Sequence, residues 1–270
     1  MKKFDGVTIV LVVLAVAVTF YYVQQRFQDE APVVVDRATG PEATVDEPEI
    51  KHPVPMAPSP PEAGAKAPEP LPALDESDGA VRKGLEDLAA PLSVDKIFVF
   101  ENLIRHVVVT VDNIPEDRLP FKYRPFQSPG GQFMTQGKSE DAIFIDPENF
   151  SRYTPYVKLA EAIDSRQLTE FYIHYYPLFQ QAYEELGYPS KYFNDRLIEV
   201  IDHLLDTPVV DRPLRLVRPH VFYQFADPQL EALSAGQKML IRIGSDNAGR
   251  IKAKLRELRQ MLMENREDTD

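Results

Sequence analysis

The chain has 270 residues, a formal net charge of −12 and no cysteine. Without cysteine it has no disulfide framework, no thiolate metal site and no lipid attached through sulfur. The charge is uneven: residues 29–76 contribute −8, residues 1–28 contribute +2 and residues 77–270 contribute −6, so the part left to fold is only mildly acidic.

Residues 7–23, VTIVLVVLAVAVTFYYV, contain no charged side chain. As a helix they rise about 25 Å, the short end of a bilayer span. Phe20, Tyr21 and Tyr22 form an aromatic belt at its far edge. The run is longer than a signal-peptide core and no small-x-small pair follows it, so it reads as a retained signal anchor. Lys2 and Lys3 hold the short tail 1–6 in the cytoplasm, with Arg26 opposing them. The bilayer is therefore the first expected partner. Everything after about residue 27 is expected outside the inner membrane, where nucleic acid is not an expected partner.

Residues 29–76 hold 11 of the 24 prolines and 11 acids against three bases, Arg37, Lys51 and Lys66. Such a stretch buries too little apolar surface to offset chain entropy. It reads as a disordered acidic linker with polyproline II character that holds a domain away from the bilayer.

Residues 77–270 suffice for one well-buried core. The spacing predicts a mainly α domain with a minor β-hairpin. Ser93 is placed to cap a helix on Ile97, Ile104, Val108 and Val111, although the β-branched run 107–109 opposes it. FMTQGKSEDAIFID reads as a hairpin around Gly137. Thr154-Pro155 opens a helix. A long helix follows from about Ser165 to Leu186, with Leu168, Phe171, Tyr172, Tyr175, Phe179, Ala182, Tyr183 and Leu186 on one stripe. Pro177 predicts a kink in it, and Gly187 and Pro189 stop it. Ser190 opens a helix on Phe193, Leu197, Val200, Ile201 and Leu204. LRLVRPHVFYQF is extended, and Asp227-Pro228 opens a short helix. Ser234 and Gln237 form a capping-box pattern. The last helix, about Asp246 to Asn265, docks on Ile251, Leu255, Leu258 and Leu262.

Several motifs invite chemistry and fall short of it. GGQFMTQGKS has five residues between Gly131 and Gly137 where a phosphate loop needs four, and no helix follows. Ser93-x-x-Lys96 and Ser245-Asp246-Asn247 match two of three penicillin-binding motifs, but Lys-Thr-Gly is absent and both serines sit where helices are capped. Asp195, Glu199 and His203 share a helix face at metal-ligand spacing, which is also how the polar side of an amphipathic helix looks. No catalytic residue, metal set or cofactor is assigned.

Two surfaces remain as candidates. Residues 212–259 carry ten bases and four acids. The last helix supplies Arg250, Lys252, Lys254, Arg256 and Arg259, a set suited to an acidic envelope protein or an anionic surface. Lys252, Arg256 and Arg259 are expected to project away from the docked stripe. Nine of the 12 tyrosines lie between 153 and 223. Tyr172, Tyr175 and Tyr183 belong to the apolar stripe. Tyr153, Tyr156, Tyr176, Tyr188 and Tyr192 are candidates for an aromatic groove.

AYEELGYPSKYFNDRLIEVIDHLLDTP and FYQFADPQLEALSAGQKMLIRIGSDNAGRIKAKLRELR resemble the bacterial envelope family known as domain of unknown function 3014. LSAGQKMLIRIG is the most specific part. The resemblance spans about residues 95–262 and includes the anchor and linker layout. It implies an inner-membrane, single-pass protein facing the periplasm, and it brings no activity. The reading is a membrane-anchored periplasmic interaction or scaffold protein. An envelope-polymer (peptidoglycan-related) enzyme and a small-ligand or lipid-binding module are the alternatives.

Overall fold

Apolar side chains at helical spacing gather the domain around one long helix. The computed structural model describes residues 50–54, 70–90, 92–137 and 143–264. In chain order the helices are α1 (Asp78–Ala89), α2 (Leu103–Asn113), α3 (Glu148–Ser151), α4 (Thr154–Ala162), α5 (Ser165–Glu185), α6 (Phe193–Leu205), α7 (Pro228–Glu231), α8 (Ala235–Arg242) and α9 (Ser245–Glu264). Helix α5 packs against α1, α2, α6 and α9, and α9 also packs against α4, α6 and α8. The stripes expected to face inward do so except at Leu186, which is exposed because it caps the end of α5 beyond the packed face, and at half-buried Phe171. Leu168 and Tyr172 on α5, Leu197, Val200, Ile201 and Leu204 on α6, and Ile251, Leu255 and Leu258 on α9 are fully buried. Asp164 caps α5 by accepting the N–H groups of Arg166 and Gln167. The helix runs through Pro177 and is followed by Gly187 at φ 112°. The capping box at Ser234 and Gln237 is formed.

The β element is larger than a hairpin. Strands β1 (Thr135–Gln136), β2 (Ile143–Ile145), β3 (Arg215–Val217) and β4 (Gln224–Phe225) form an antiparallel sheet in the order β1-β2-β3-β4. The expected hairpin is β1–β2. The extended stretch 214–225 folds back as a second hairpin and pairs with it, Ile143 opposite Leu216. Ile145, Leu214, Leu216, Phe225, Leu230 and Ile241 make a small core under this sheet.

The helix expected from Ser93 is broken. A single 3-10 turn, Val94–Lys96, is followed by a bridge between Phe98 and Phe126. Helix α2 restarts after Asn102, which sits at φ 53°. The carboxylate of Asp78 accepts the N–H groups of Asn102 and Leu103 at 2.7 and 2.9 Å. A residue 25 positions away therefore caps α2. Val107 and Val108 remain helical because both are buried, and tertiary packing outweighs their propensity.

The linker boundary also moves. Leu74 begins a 3-10 turn, Leu74–Glu76, and is buried in the main core, with Leu71 packed beside it. Residues 50–54 lie against α6, with Val54 buried in the same core. Residues 50–54 and 70–76 thus belong to the packed domain, because each brings an apolar side chain that the linker composition hid. The tail 1–6, the expected span 7–23 and the rest of the linker lie outside the described residues. Among the described residues no helix is long and apolar enough to cross a membrane.

Candidate functional site

The C-terminal half of α5, the turn 186–192 and the first three turns of α6 wall a cleft of about 670 Å³. Residues 50–52 close one side, and Asp112 reaches in from α2. Gln180 builds the turn. Its Oε1 accepts from the Phe193 N–H and the Tyr176 hydroxyl, both at 2.9 Å, while its Nε2 donates to the Lys191 carbonyl at 2.9 Å. Lys191 Nζ stands 4.7 Å from the Tyr188 ring centroid, within cation–π range.

Charges in the cleft are coupled in pairs. Arg196 Nε donates to Asp112 Oδ1 at 3.0 Å, its Nη2 donates to the Asp112 carbonyl at 2.7 Å, and its Nη1 meets Glu199 at 2.9 Å. The Tyr188 hydroxyl donates to Asp112 Oδ2 at 3.2 Å. Asp202 is held by the Arg259 guanidinium. Asp195 accepts the backbone N–H groups of Lys51 and His52 at 3.1 and 2.7 Å. The arrangement presents a preset polar wall with an aromatic side. Its carboxylates are already engaged by cations or N–H groups.

The five candidate tyrosines do not form one groove. Tyr188 and Tyr192 line the cleft. Tyr176 lies under it, buried and 5.3 Å from the Tyr192 ring, and its hydroxyl pKa is driven far up, mainly by burial. Tyr153 and Tyr156 are buried at the start of α4, away from the cleft. The Tyr156 hydroxyl donates to the Gln127 carbonyl at 3.0 Å, and burial pushes its pKa up to about 12. Helical spacing alone did not separate these sets.

The five basic residues of α9 also divide. Lys252 and Lys254 are buried. Lys252 Nζ donates to the Leu205 and Thr207 carbonyls, and Lys254 Nζ to the Ile163 carbonyl at 2.6 Å. These are the C-terminal ends of α6 and α4, where unpaired carbonyls and the helix dipole favour a cation. Burial pulls both lysine pKa values down. Arg250 forks onto Glu161, and Arg259 onto Asp202. Arg256 is exposed. The expectation that Lys252 projects to solvent is thus corrected, because the C-terminal end of α6 lies against α9 and its carbonyls need a donor.

The suspected chemical motifs are dispersed as well. Asp195 holds residues 51 and 52, Glu199 meets Arg196, and His203 Nε2 lies 2.7 Å from Ser234 Oγ. Arg196 and Asp112 escaped sequence reasoning because their partnership spans 84 positions.

A helical domain with a four-stranded sheet and a polar, aromatic-sided cleft is the class this geometry defines. The model of a protein family of unknown function, DUF3014, matches residues 103–259, more than half of the chain. The chain belongs to that family. No curated protein and no solved structure matches it.

Proposed function

We infer that this chain is a membrane-anchored envelope protein whose helical domain works as a non-catalytic interaction module facing the periplasm. The anchor reading rests on the uncharged run 7–23 and on Lys2 and Lys3. The binding reading rests on the cleft beside Tyr188 and Tyr192. Its carboxylates are spent on Arg196, Arg259 and backbone N–H groups, an arrangement that orients a partner rather than moves a proton. Lys51 and Lys191 are both exposed on the lining of the cleft and suit a protein segment that carries carboxylates.

The test is a photo-crosslinking residue placed at exposed Ser190 in the cleft, compared with one at exposed Arg256 on α9, in membranes of the source cells. A discrete protein adduct from position 190, lost when Tyr188 is changed to Ala and absent from position 256, is expected. An adduct from 256 alone would move the interaction surface to α9.

A further inference from the structure

At the start of α6, three side chains within four positions read the backbone of residues 50–54. Asp195 accepts two successive N–H groups, those of Lys51 and His52. Asn194 Nδ2 donates to the His52 carbonyl at 2.9 Å. The Tyr192 hydroxyl accepts the Val54 N–H at 3.2 Å. Pro53, between the bonded positions, has no N–H to satisfy. Val54 fills an apolar socket and is 8% exposed. The socket is preset: Asn194 is 1% exposed, and its Oδ1 accepts from the fully buried Tyr172 hydroxyl at 3.1 Å, which leaves the amide N–H group to face outward. Most of this recognition is of main chain, with specificity from a Pro-Val pair.

We propose that Tyr192, Asn194 and Asp195 form a peptide-binding site whose ligand in trans is residues 50–54 of a second copy of this chain. The contacts are the same whether the segment comes from its own domain or from a neighbour, so exchange costs no interaction. The connector 55–69 has 15 residues, five of them proline. Fifteen residues span at most about 50 Å when fully extended, enough to serve either domain. A connector of this length gives the cis segment a local concentration on the order of millimolar, so dilute chains keep their own segment. Exchange belongs to copies crowded on one surface. The proposal rests on the anchored reading above for that crowding alone.

The experiment mixes two full-length variants that cannot close in cis. One has an intact site and a broken segment, Val54→Asp, with Lys51→Pro plus His52→Pro as a second version that removes both N–H groups bound by Asp195. The other has an intact segment and a broken site, Asp195→Asn. At equal total concentration the mixture is expected to give at least tenfold more dimer than either variant alone, as read by energy transfer between labelled chains. A labelled peptide of residues 47–56 is expected to bind the broken-segment variants at least tenfold more tightly than the natural chain, and to be lost when Asp195→Asn is added. A mixture no more associated than its components overturns the proposal. So does a peptide that binds none of the variants. Peptide binding without mixed dimers overturns the assignment of the second copy as ligand. The crosslinking at position 190 is unaffected by any of these outcomes, so the two readings fail separately.

Discussion

Lys252 Nζ lies 2.9 Å from the carbonyl oxygen of Leu205, at the C-terminal end of α6. Lys254 does the same for α4 through Ile163, and Lys238 for the short α7 through the Glu231 carbonyl at 3.0 Å. Three buried ammonium groups thus close three helix ends. This accounts for much of the basic excess in the C-terminal third without invoking a ligand. Lys252→Met keeps an unbranched chain but has no donor, leaves the Leu205 and Thr207 carbonyls without this partner, and is expected to destabilise the domain by about 1–3 kcal/mol. Arg256→Gln, at an exposed position, is expected to change stability by less than about 0.5 kcal/mol. Urea unfolding of the two variants side by side checks both values. Equal midpoints would mean that the lysine is replaceable by water.

Gly236 lies inside α8 where that helix touches two others. A Cβ there would stand 2.5 Å from Ile114 Cγ2, 2.9 Å from Leu204 Cδ2 and 3.1 Å from the Ile114 carbonyl, which already accepts the Gly236 N–H. Gly236→Ala is expected to cost about 1–3 kcal/mol through overpacking. For a domain of this size that lowers the melting temperature by about 2–4 °C per kcal/mol. Unchanged melting would show that α8 has room to move.

His203 links α6 to the cap of α8. Its Nε2 faces Ser234 Oγ, and its carbonyl accepts from Gln237 Nε2 at 3.2 Å. Burial lowers its pKa below the ordinary histidine value, with Arg196 adding to the effect against Asp206 and Glu199. The folded state therefore binds this proton less readily than the unfolded state. Its contribution is intact above about pH 6.5 and falls as the pH drops toward the folded pKa. Burial lowers His106 in the same sense. Melting between pH 7.5 and 5 should decline with acid, and His203→Gln should flatten part of that decline. An unaltered slope would assign the acid sensitivity elsewhere.

How far the fold could be read in advance depended on distance along the chain. Leu197, Val200, Ile201 and Leu204 announce α6 by spacing, and Ser234 with Gln237 announces the start of α8, because their partners lie within a turn or two. The four-stranded sheet needed Ile143 to find Leu216, and the cap of α2 needed Asp78 to find Leu103. No local pattern encodes such pairs. The lysines of α9 misled for a related reason. A charged residue on an amphipathic helix looks solvated until the helix end it caps is known. Two tyrosines of the cleft, Tyr188 and Tyr192, were visible as candidates. Arg196, Asp112 and the docked Val54 were not, since each gains meaning only through a distant contact.

We propose the cleft beside Tyr188, and not the basic face of α9, as the partner surface. The affinity of the partner captured at position 190 for two purified full-length variants separates the two surfaces. Ser190→Trp places an indole in the mouth of the cleft from an exposed position. Arg256→Gln removes an exposed charge from α9. Ser190→Trp is expected to weaken binding at least tenfold, about 1.4 kcal/mol, with melting unchanged, while Arg256→Gln binds as the natural chain does. Full affinity in Ser190→Trp together with loss in Arg256→Gln would place the partner on α9 instead of the cleft.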